Sequence, residues 1–335
     1  MESVDLIMNL GTKVLTGGRI GMDEAVALSA VGDRDLPFLA AMADGIRRQY
    51  VGEAVDLCSI VNGRSGLCSE NCAFCAQSAH SNAALPVYPL LSQEELLAAA
   101  RKAETDGALR FAIVTSGRGM ERDGDFSRLV EALARIKEET QLAVCCSLGS
   151  LSPANAVALK EAGVSRYHHN VETSSSYYSA ICTSHTYEDR VNTIRVVKEA
   201  GLEVCSGGII GLGETINQRL EMAFELKALN VDSVPINVLN AIKGTPLENQ
   251  PPLSPLDILK TFALFRFILP ECGLRTAGGR EVNLRDLQAI GLWSGINGML
   301  IGGYLTTGGR SCATDLAMIH DLGRIPLSAR EIGAR

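Results

Sequence analysis

Lys198-Glu199-Ala200-Gly201-Leu202-Glu203-Val204-Cys205-Ser206-Gly207-Gly208 holds one whole unit of the fold in a single line. A charged helix end runs into a glycine suited to the left-handed conformation that closes helices, and a β-prone run starts at once. The phrase has a twin, Lys160-Glu161-Ala162-Gly163, directly ahead of Val164-Ser165-Arg166-Tyr167. Working outward, β-prone runs fall at 55–61, 109–115, 142–147, 165–170, 202–208, 233–239, 273–277 and 298–301. The stretches between them carry helix-start signals. Ser92-Gln93-Glu94-Glu95 and Thr215-Ile216-Asn217-Gln218 read as capping boxes, and Ser152-Pro153 and Ser254-Pro255 set an N-cap before a first-turn proline. Eight strands, each followed by a helix, predict a (β/α)8 TIM-type barrel over residues 51–308. An N-terminal helical extension over 1–50 packs outside it, and 309–335 form a polar tail with one short helical stretch. A doubly wound open sheet shares this alternation, because strand order is not written in a sequence. No linker rich in Pro, Gly or Ser divides the chain, which favours one domain.

Composition excludes several function classes. With 46% apolar and 21% charged residues the chain buries a large core and is too apolar for disorder. A formal charge of −7 without a basic block argues against a nucleic-acid partner. Met1-Glu2-Ser3-Val4-Asp5 lacks the basic start of a signal peptide, and no apolar run approaches the ~20 residues that span a bilayer. The expectation is a cytoplasmic protein with no membrane partner. Ten cysteines in such a chain point away from a disulfide framework and toward metal.

Three of them, Cys68-x3-Cys72-x2-Cys75, sit in a loop just after the first strand. Structural zinc needs four protein ligands, and only His80 is near enough in sequence to complete such a set. Three thiolates suit a [4Fe–4S] cluster better, with one iron left open for something else to bind.

This spacing in this place resembles the radical S-adenosylmethionine (SAM) superfamily. The wider text narrows the resemblance. Gly66-Leu67-Cys68-Ser69-Glu70-Asn71-Cys72-Ala73-Phe74-Cys75-Ala76-Gln77-Ser78, Cys145-Cys146-Ser147-Leu148-Gly149 and His168-His169-Asn170-Val171-Glu172-Thr173-Ser174 are similar to strings of the biotin synthase family. Val204–Thr215, Val234-Pro235-Ile236-Asn237, Lys243-Gly244-Thr245-Pro246-Leu247 and Arg275–Glu281 continue the match in order, so that it runs from about residue 50 to 308. The resemblance implies an enzyme that uses SAM and a [4Fe–4S] cluster to make 5′-deoxyadenosyl radicals. These would convert dethiobiotin to biotin with sulfur from an auxiliary iron–sulfur cluster. It also implies a homodimer, flavodoxin or ferredoxin as electron donor, and iron–sulfur assembly machinery as a partner.

Roles carry over by position. Gly207, Gly208, Gly211 and Glu214 match a SAM-contacting turn. Asn170 and Glu172 match a pair at the SAM ribose, where the family usually has Asp in place of Glu172. Arg190 matches the arginine facing the SAM carboxylate, and Asn170 with Asn237 matches amides at the dethiobiotin ring. His168 and His169 are strand neighbours with opposite facing, unsuited to a shared ion. For the auxiliary cluster, a [2Fe–2S] group in the family, Cys145, Cys205 and Arg275 match three ligands. The fourth, a cysteine after an Arg-Phe pair, is missing: Arg110-Phe111 is followed by Ala112. Cys58 is the expected replacement, on one strand face with Ile60 and Asn62, whereas Cys146 points the other way from Cys145. Moving a ligand between strands predicts a four-iron cluster on Cys58, Cys145 and Cys205, with Arg275 beside it. Cys182, Cys272 and Cys312 are assigned to packing. The loss at Ala112 also admits a relative that performs rearrangement or metallocofactor maturation without inserting sulfur; the retained Cys145, Cys205 and Arg275 speak against it.

Overall fold

All eight expected strands form, and parallel pairing runs from one to the next until the last meets the first. In the computed structural model, which describes residues 2–120 and 124–327, these are β1 (Ala54–Arg64), β2 (Arg110–Thr115), β3 (Ala143–Ser147), β4 (Arg166–His168), β5 (Glu203–Cys205), β6 (Gly208–Ile210), β7 (Ser233–Val238), β8 (Gly273–Thr276) and β9 (Gly298–Leu300). β1 pairs with β2 on one side and β9 on the other. That closure excludes the doubly wound sheet.

The fifth barrel position differs from the single strand expected, being broken into β5 and β6. Pro235 on β7 has no N–H to offer the ladder, and β7 meets β5 only at Cys205↔Ser233 before resuming with β6 at Gly208↔Ile236. The chain crosses the gap through Gly207, where a Cβ would lie 2.0 Å from the Pro235 carbonyl oxygen.

The helices are α1 (Glu2–Leu15), α2 (Met22–Ser29), α3 (Leu36–Val51), α4 (Gln93–Thr105), α5 (Gly124–Glu139), α6 (Pro153–Glu161), α7 (Tyr187–Glu199), α8 (Ile216–Ala228), α9 (Pro255–Ile268), α10 (Arg280–Leu284), α11 (Gln288–Trp293) and α12 (Cys312–Asp321). Their starts obey the sequence signals: Ser92, Ser152, Thr215 and Ser254 each accept a backbone N–H of the first turn. Gly163 and Gly201 take φ of 88° and 72°, the left-handed stop that the twin phrases announce.

Helix α9 is apolar nearly all round because it is covered on both sides, by the barrel and by α3. Phe262, Phe265 and Phe267 are all fully buried there, each contributing roughly 1.5–3 kcal/mol of hydrophobic stabilisation. Arg266 shares that interior without a carboxylate in hydrogen-bond reach. Its guanidinium donates instead to the carbonyls of Gly295, Leu269, Pro270 and Cys272 and to Asn297 Oδ1, stitching the end of α9 to the β8 and β9 region. Of the N-terminal helices, α2 packs on α8 and α9 and α3 on α9, with α1 resting on α3, outside the barrel.

Beyond Gly309 the expected polar tail is docked rather than loose. Asp315 of α12 is fully buried and pairs with Arg280, itself 1% exposed. A further strand, β10 (Ile325–Pro326), then extends the sheet beside the start of β1, pairing Ala54 with Ile325. Residues 328–335, the end of that tail, lie outside the described residues. Among the described residues no helix is long and apolar enough to cross a membrane.

Candidate active site

Cys68, Cys72 and Cys75 lie in the loop after β1, held by a ladder of short-range bonds. Cys75 N donates to Cys72 O at 3.0 Å, Cys68 N to Gln77 O at 3.0 Å and Ala79 N to Cys68 O at 2.7 Å. Their sulfurs do not converge tightly enough to share one ion. Such a spread fits a cubane, in which each thiolate holds its own iron. All three line a cavity of about 180 Å3 at the mouth of the barrel.

Asn170, Glu172 and Arg190 line the same cavity and are tied to one another. Asn170 Nδ2 donates to Glu172 Oε2 at 3.2 Å, its Oδ1 accepts from Gly207 N at 3.1 Å, and its backbone oxygen accepts from Arg190 Nη1 at 3.0 Å. Arg190 Nη1 lies 3.3 Å from Glu172 Oε1, and Nε donates to the Tyr178 hydroxyl. Read as sequence alone Arg190 is a helix-surface charge; here it is buried. Glu172 adopts φ 71°, a left-handed backbone that only surrounding bonds maintain, and Ile209 N and Gly207 O supply them.

A second, larger cavity of about 410 Å3 continues from the first into the barrel, sharing Phe74, Cys75, His168, Asn170 and Glu172 as walls. Cys58, Cys145, Cys205 and Arg275 all face it, as do Ile60 and Ala112. Cys146 does not; it is fully buried in the layer between barrel and helices. Burial pushes the Cys58 thiol up to about 12. Burial acts on Cys205 too, but the His168 ring, 3.4 Å from its sulfur, and the charges of Arg275 and Arg166 outweigh it and hold that thiol at about 6.

Three arginines surround these sulfurs, a feature the sequence reading missed apart from Arg275. Asp56 Oδ2 is shared by Arg110 at 3.0 Å, Arg275 at 3.1 Å and Arg166 at 3.8 Å. Two carboxylates serve the three guanidinium groups, Asp56 and Glu203, the latter pairing with Arg166 at 2.7 Å, and among the described residues the Nη1 atoms of Arg110 and Arg166 are buried without a hydrogen-bond partner. Buried cations left short of acceptors beside three thiols suit an anionic iron–sulfur group between them. The signal was available: each arginine sits at a lumen-facing step of a different strand.

Several residues sit differently from what their expected roles suggest. Gly207, Gly208, Gly211 and Glu214 line neither cavity. Neighbouring backbone alone already requires glycine at 207 and 208, since a Cβ on Gly208 would meet the Glu172 oxygen at 2.4 Å. Glu214 turns inward, accepting from Gly211 N and Leu212 N and pairing with Arg219 at 2.6 Å, so its carboxylate shapes the turn. Asn237 lines the larger cavity, but its amide bonds Gly208 O at 3.2 Å and Gly278 N at 2.9 Å, leaving one N–H and one lone pair. His168 and His169 both border the mouth cavity, because strand alternation ends with β4 at His168. Cys182 is buried in a small apolar cluster as expected, and its sulfur lies 3.8 Å from that of Cys72. Tyr304, Leu305, Thr306 and Thr307, unassigned in the sequence, roof the larger cavity. Asn62 Nδ2 pins the Leu305 oxygen at 3.2 Å and Glu281 accepts from the Tyr304 hydroxyl.

Comparison with known proteins agrees with this geometry. Residues 64–226 match the radical SAM superfamily and residues 235–325 the biotin and thiamin synthesis associated domain. The chain is 55% identical to the biotin synthase of Carboxydothermus hydrogenoformans over 95% of this chain and 98% of that one. It is 53% identical to that of Pelotomaculum thermopropionicum, covering 92% and 96%. Among solved structures it superposes on methylornithine synthase (PylB) with a TM-score of 0.85 at 22% identity, covering 97% and 99%. The FeFe-hydrogenase maturase HydG of C. hydrogenoformans gives 0.81 at 21%, covering 97% and 80%. At such identities these two structures speak for the fold alone. Barrel and cysteine loop together define a radical SAM enzyme. Within that class, the chain belongs to the biotin synthase family.

Proposed function

We propose that this chain converts dethiobiotin to biotin by radical sulfur insertion, with a [4Fe–4S] cluster and SAM at the barrel mouth and an auxiliary iron–sulfur cluster below. The observation that carries the reading is the continuity of the two cavities: a substrate between Phe74 and Ala112 touches both cysteine sets at once. When bound, the upper group supplies one-electron cleavage of SAM and the lower one supplies sulfur.

The protein's own residues bind, orient and shield. Cys68, Cys72 and Cys75 anchor the upper cluster. Arg190 offers a charge-assisted bond to a carboxylate, and Glu172 accepts from hydroxyls. The spare amide groups of Asn170 and Asn237 fit a cyclic urea, whose N–H and C=O groups need one acceptor and one donor each. Ile60, Phe74 and the roof at Leu305 exclude water, which keeps a reactive species from meeting anything but substrate.

In this reading Cys58, Cys145 and Cys205 hold a four-iron auxiliary cluster in place of a [2Fe–2S] one. Arg275, engaged with Asp56 and with Ser233 at 3.3 Å, stands beside it as a counter-charge. Electrons come from flavodoxin or ferredoxin, the assembly machinery rebuilds the clusters, and the enzyme is a cytoplasmic homodimer. The test is an anaerobic reaction of the reconstituted chain with dethiobiotin, SAM and a chemical reductant. Biotin with accompanying 5′-deoxyadenosine is expected; 5′-deoxyadenosine without biotin would support the rearrangement or maturation reading instead. Mössbauer spectra of the same preparation distinguish a four-iron from a two-iron auxiliary group.

A further inference from the structure

We propose that the cluster-free chain carries a site for one divalent, thiophilic metal ion built from Cys72, Cys182 and His185, with Glu70 as the nearest fourth donor. Because Cys72 is shared, this site and the upper cluster exclude each other. The inference rests on the loop geometry and not on the reading of the reaction.

Among the described residues these three form the one group of metal-ligating side chains whose donor atoms converge within 4.8 Å. Two of their spacings come close to a tetrahedron's edges. An ion bound at ~2.3 Å to sulfur and ~2.0–2.1 Å to nitrogen sets an S···S edge of ~3.8 Å and an S···N edge of ~3.6 Å. The structure has Cys72 Sγ 3.8 Å from Cys182 Sγ, and Cys182 Sγ 3.3 Å from His185 Nδ1. Glu70 Oε2 lies 2.5 Å from that same nitrogen. Once Nδ1 takes a metal its proton sits on Nε2, the carboxylate loses that bond while keeping those from Ser184 Oγ at 2.7 Å and Ser69 Oγ at 3.1 Å, and it is the closest remaining anion for the fourth vertex. Charge and protons balance simply: two thiols become thiolates, two protons leave to solvent, and no electron moves.

The segment is built to hold this geometry. Asn71 Oδ1 accepts from Thr183 N and Ser184 N, each at 3.0 Å, while Asn71 N donates to Ser184 Oγ at 3.1 Å. Ala73 N donates to Ile181 O at 2.8 Å. These bonds lock the Cys182–His185 turn to the cluster loop, with both thiols buried, so the donors are preorganised before any ion arrives. The spacing Cys182-x2-His185 is itself that of a metal-ligating pair, a signal overlooked when Cys182 is set aside as packing.

The consequence is a choice at the moment of assembly. Ferrous iron held here is staged beside the cluster position, whereas zinc, which binds such donors more tightly, withholds Cys72 from the cluster. Cobalt(II) is the probe, titrated anaerobically into the reduced, cluster-free full chain, with zinc and ferrous iron as competing arms. One equivalent should give thiolate-to-cobalt charge-transfer absorption that survives in Cys68→Ala and Cys75→Ala. Cys182→Ala should weaken its binding about 100-fold or more, at least the upper end of the loss seen for outer-shell partners. Zinc should displace cobalt at lower concentration than ferrous iron does. Undiminished binding by Cys182→Ala, loss of the signal in Cys68→Ala, or the reverse order of displacement would each overturn the site. If Cys182→Ala does not fold, X-ray absorption of the parent chain with one equivalent of zinc decides. A shell of two sulfurs and an imidazole is expected, and a shell without imidazole contradicts it.

Discussion

Cys58 stands one lumen-facing step deeper in the barrel than Ala112: the β1–β2 ladder pairs Cys58 with Arg110 and Ile60 with Ala112. Ala112 in turn pairs with Cys145 on β3. A sulfur at Ala112 would sit level with Cys145, whereas the sulfur of Cys58 approaches from below and from the far side of β2. The three deeper sulfurs of the larger cavity, those of Cys58, Cys145 and Cys205, are therefore spread over β1, β3 and β5, next to the charges of Arg110, Arg166 and Arg275. That change of strand and level is the physical ground for expecting a different auxiliary group.

Replacing Cys68, Cys72 or Cys75 by Ala should reduce 5′-deoxyadenosine formation to background. Each thiolate anchors one iron, and the open iron exists only while the other three are held. Chromatographic assay of 5′-deoxyadenosine under reducing, anaerobic conditions checks this, and substantial product from any one variant contradicts the assignment.

Asp315→Ala should cost about 1.5–3 kcal/mol, because the buried Arg280 guanidinium loses a charge-assisted bond and keeps only Glu281 at 3.2 Å and Gln288 as close partners. Urea denaturation of the two proteins measures the difference. A loss below about 1 kcal/mol would place the pair among weakly contributing surface bridges and undo the account of the docked tail.

Gly207→Ala should destabilise the barrel without acting on SAM. The added methyl meets the Pro235 carbonyl, and overpacking against backbone costs about 1–3 kcal/mol or more because a main chain cannot rotate away. Thermal melting should show the loss, while the folded fraction binds SAM with unchanged Kd. A normal melting temperature with weakened SAM binding would restore the ligand-contact role to this glycine.

How much of this was legible in the sequence depends on whether the determinant is local. Ser92, Ser152, Thr215 and Ser254 cap helices through their own first turns, and Gly163 and Gly201 end helices by their own φ; both can be read in place. The break between β5 and β6 could not, since its cause, Pro235, lies on the neighbouring strand. Glu214 makes a related point: a carboxylate near a glycine turn suits a ligand or the turn's own N–H groups equally, and its bonds to Gly211 N and Leu212 N are visible only in the fold. The Cys58 side chain was readable as sharing a face with Ile60, but whether that face is the lumen required the barrel to close. Cys182 was missed because its partner, Cys72, comes from a distant loop.

The account's central claim is that sulfur insertion depends on a thiolate set including Cys58 that is separate from the upper cluster. It is tested most directly by measuring 5′-deoxyadenosine and biotin in the same reaction of Cys58→Ala, with Cys146→Ala as the packing control. Cys58→Ala should still cleave SAM yet make little or no biotin, since sulfur must be held within near-attack distance of the substrate carbon. Cys146→Ala should lose only about 1 kcal/mol of stability, as for removal of a small buried group. Biotin at the parental level from Cys58→Ala, with its loss in Cys146→Ala, would contradict the claim and move the missing ligand to β3.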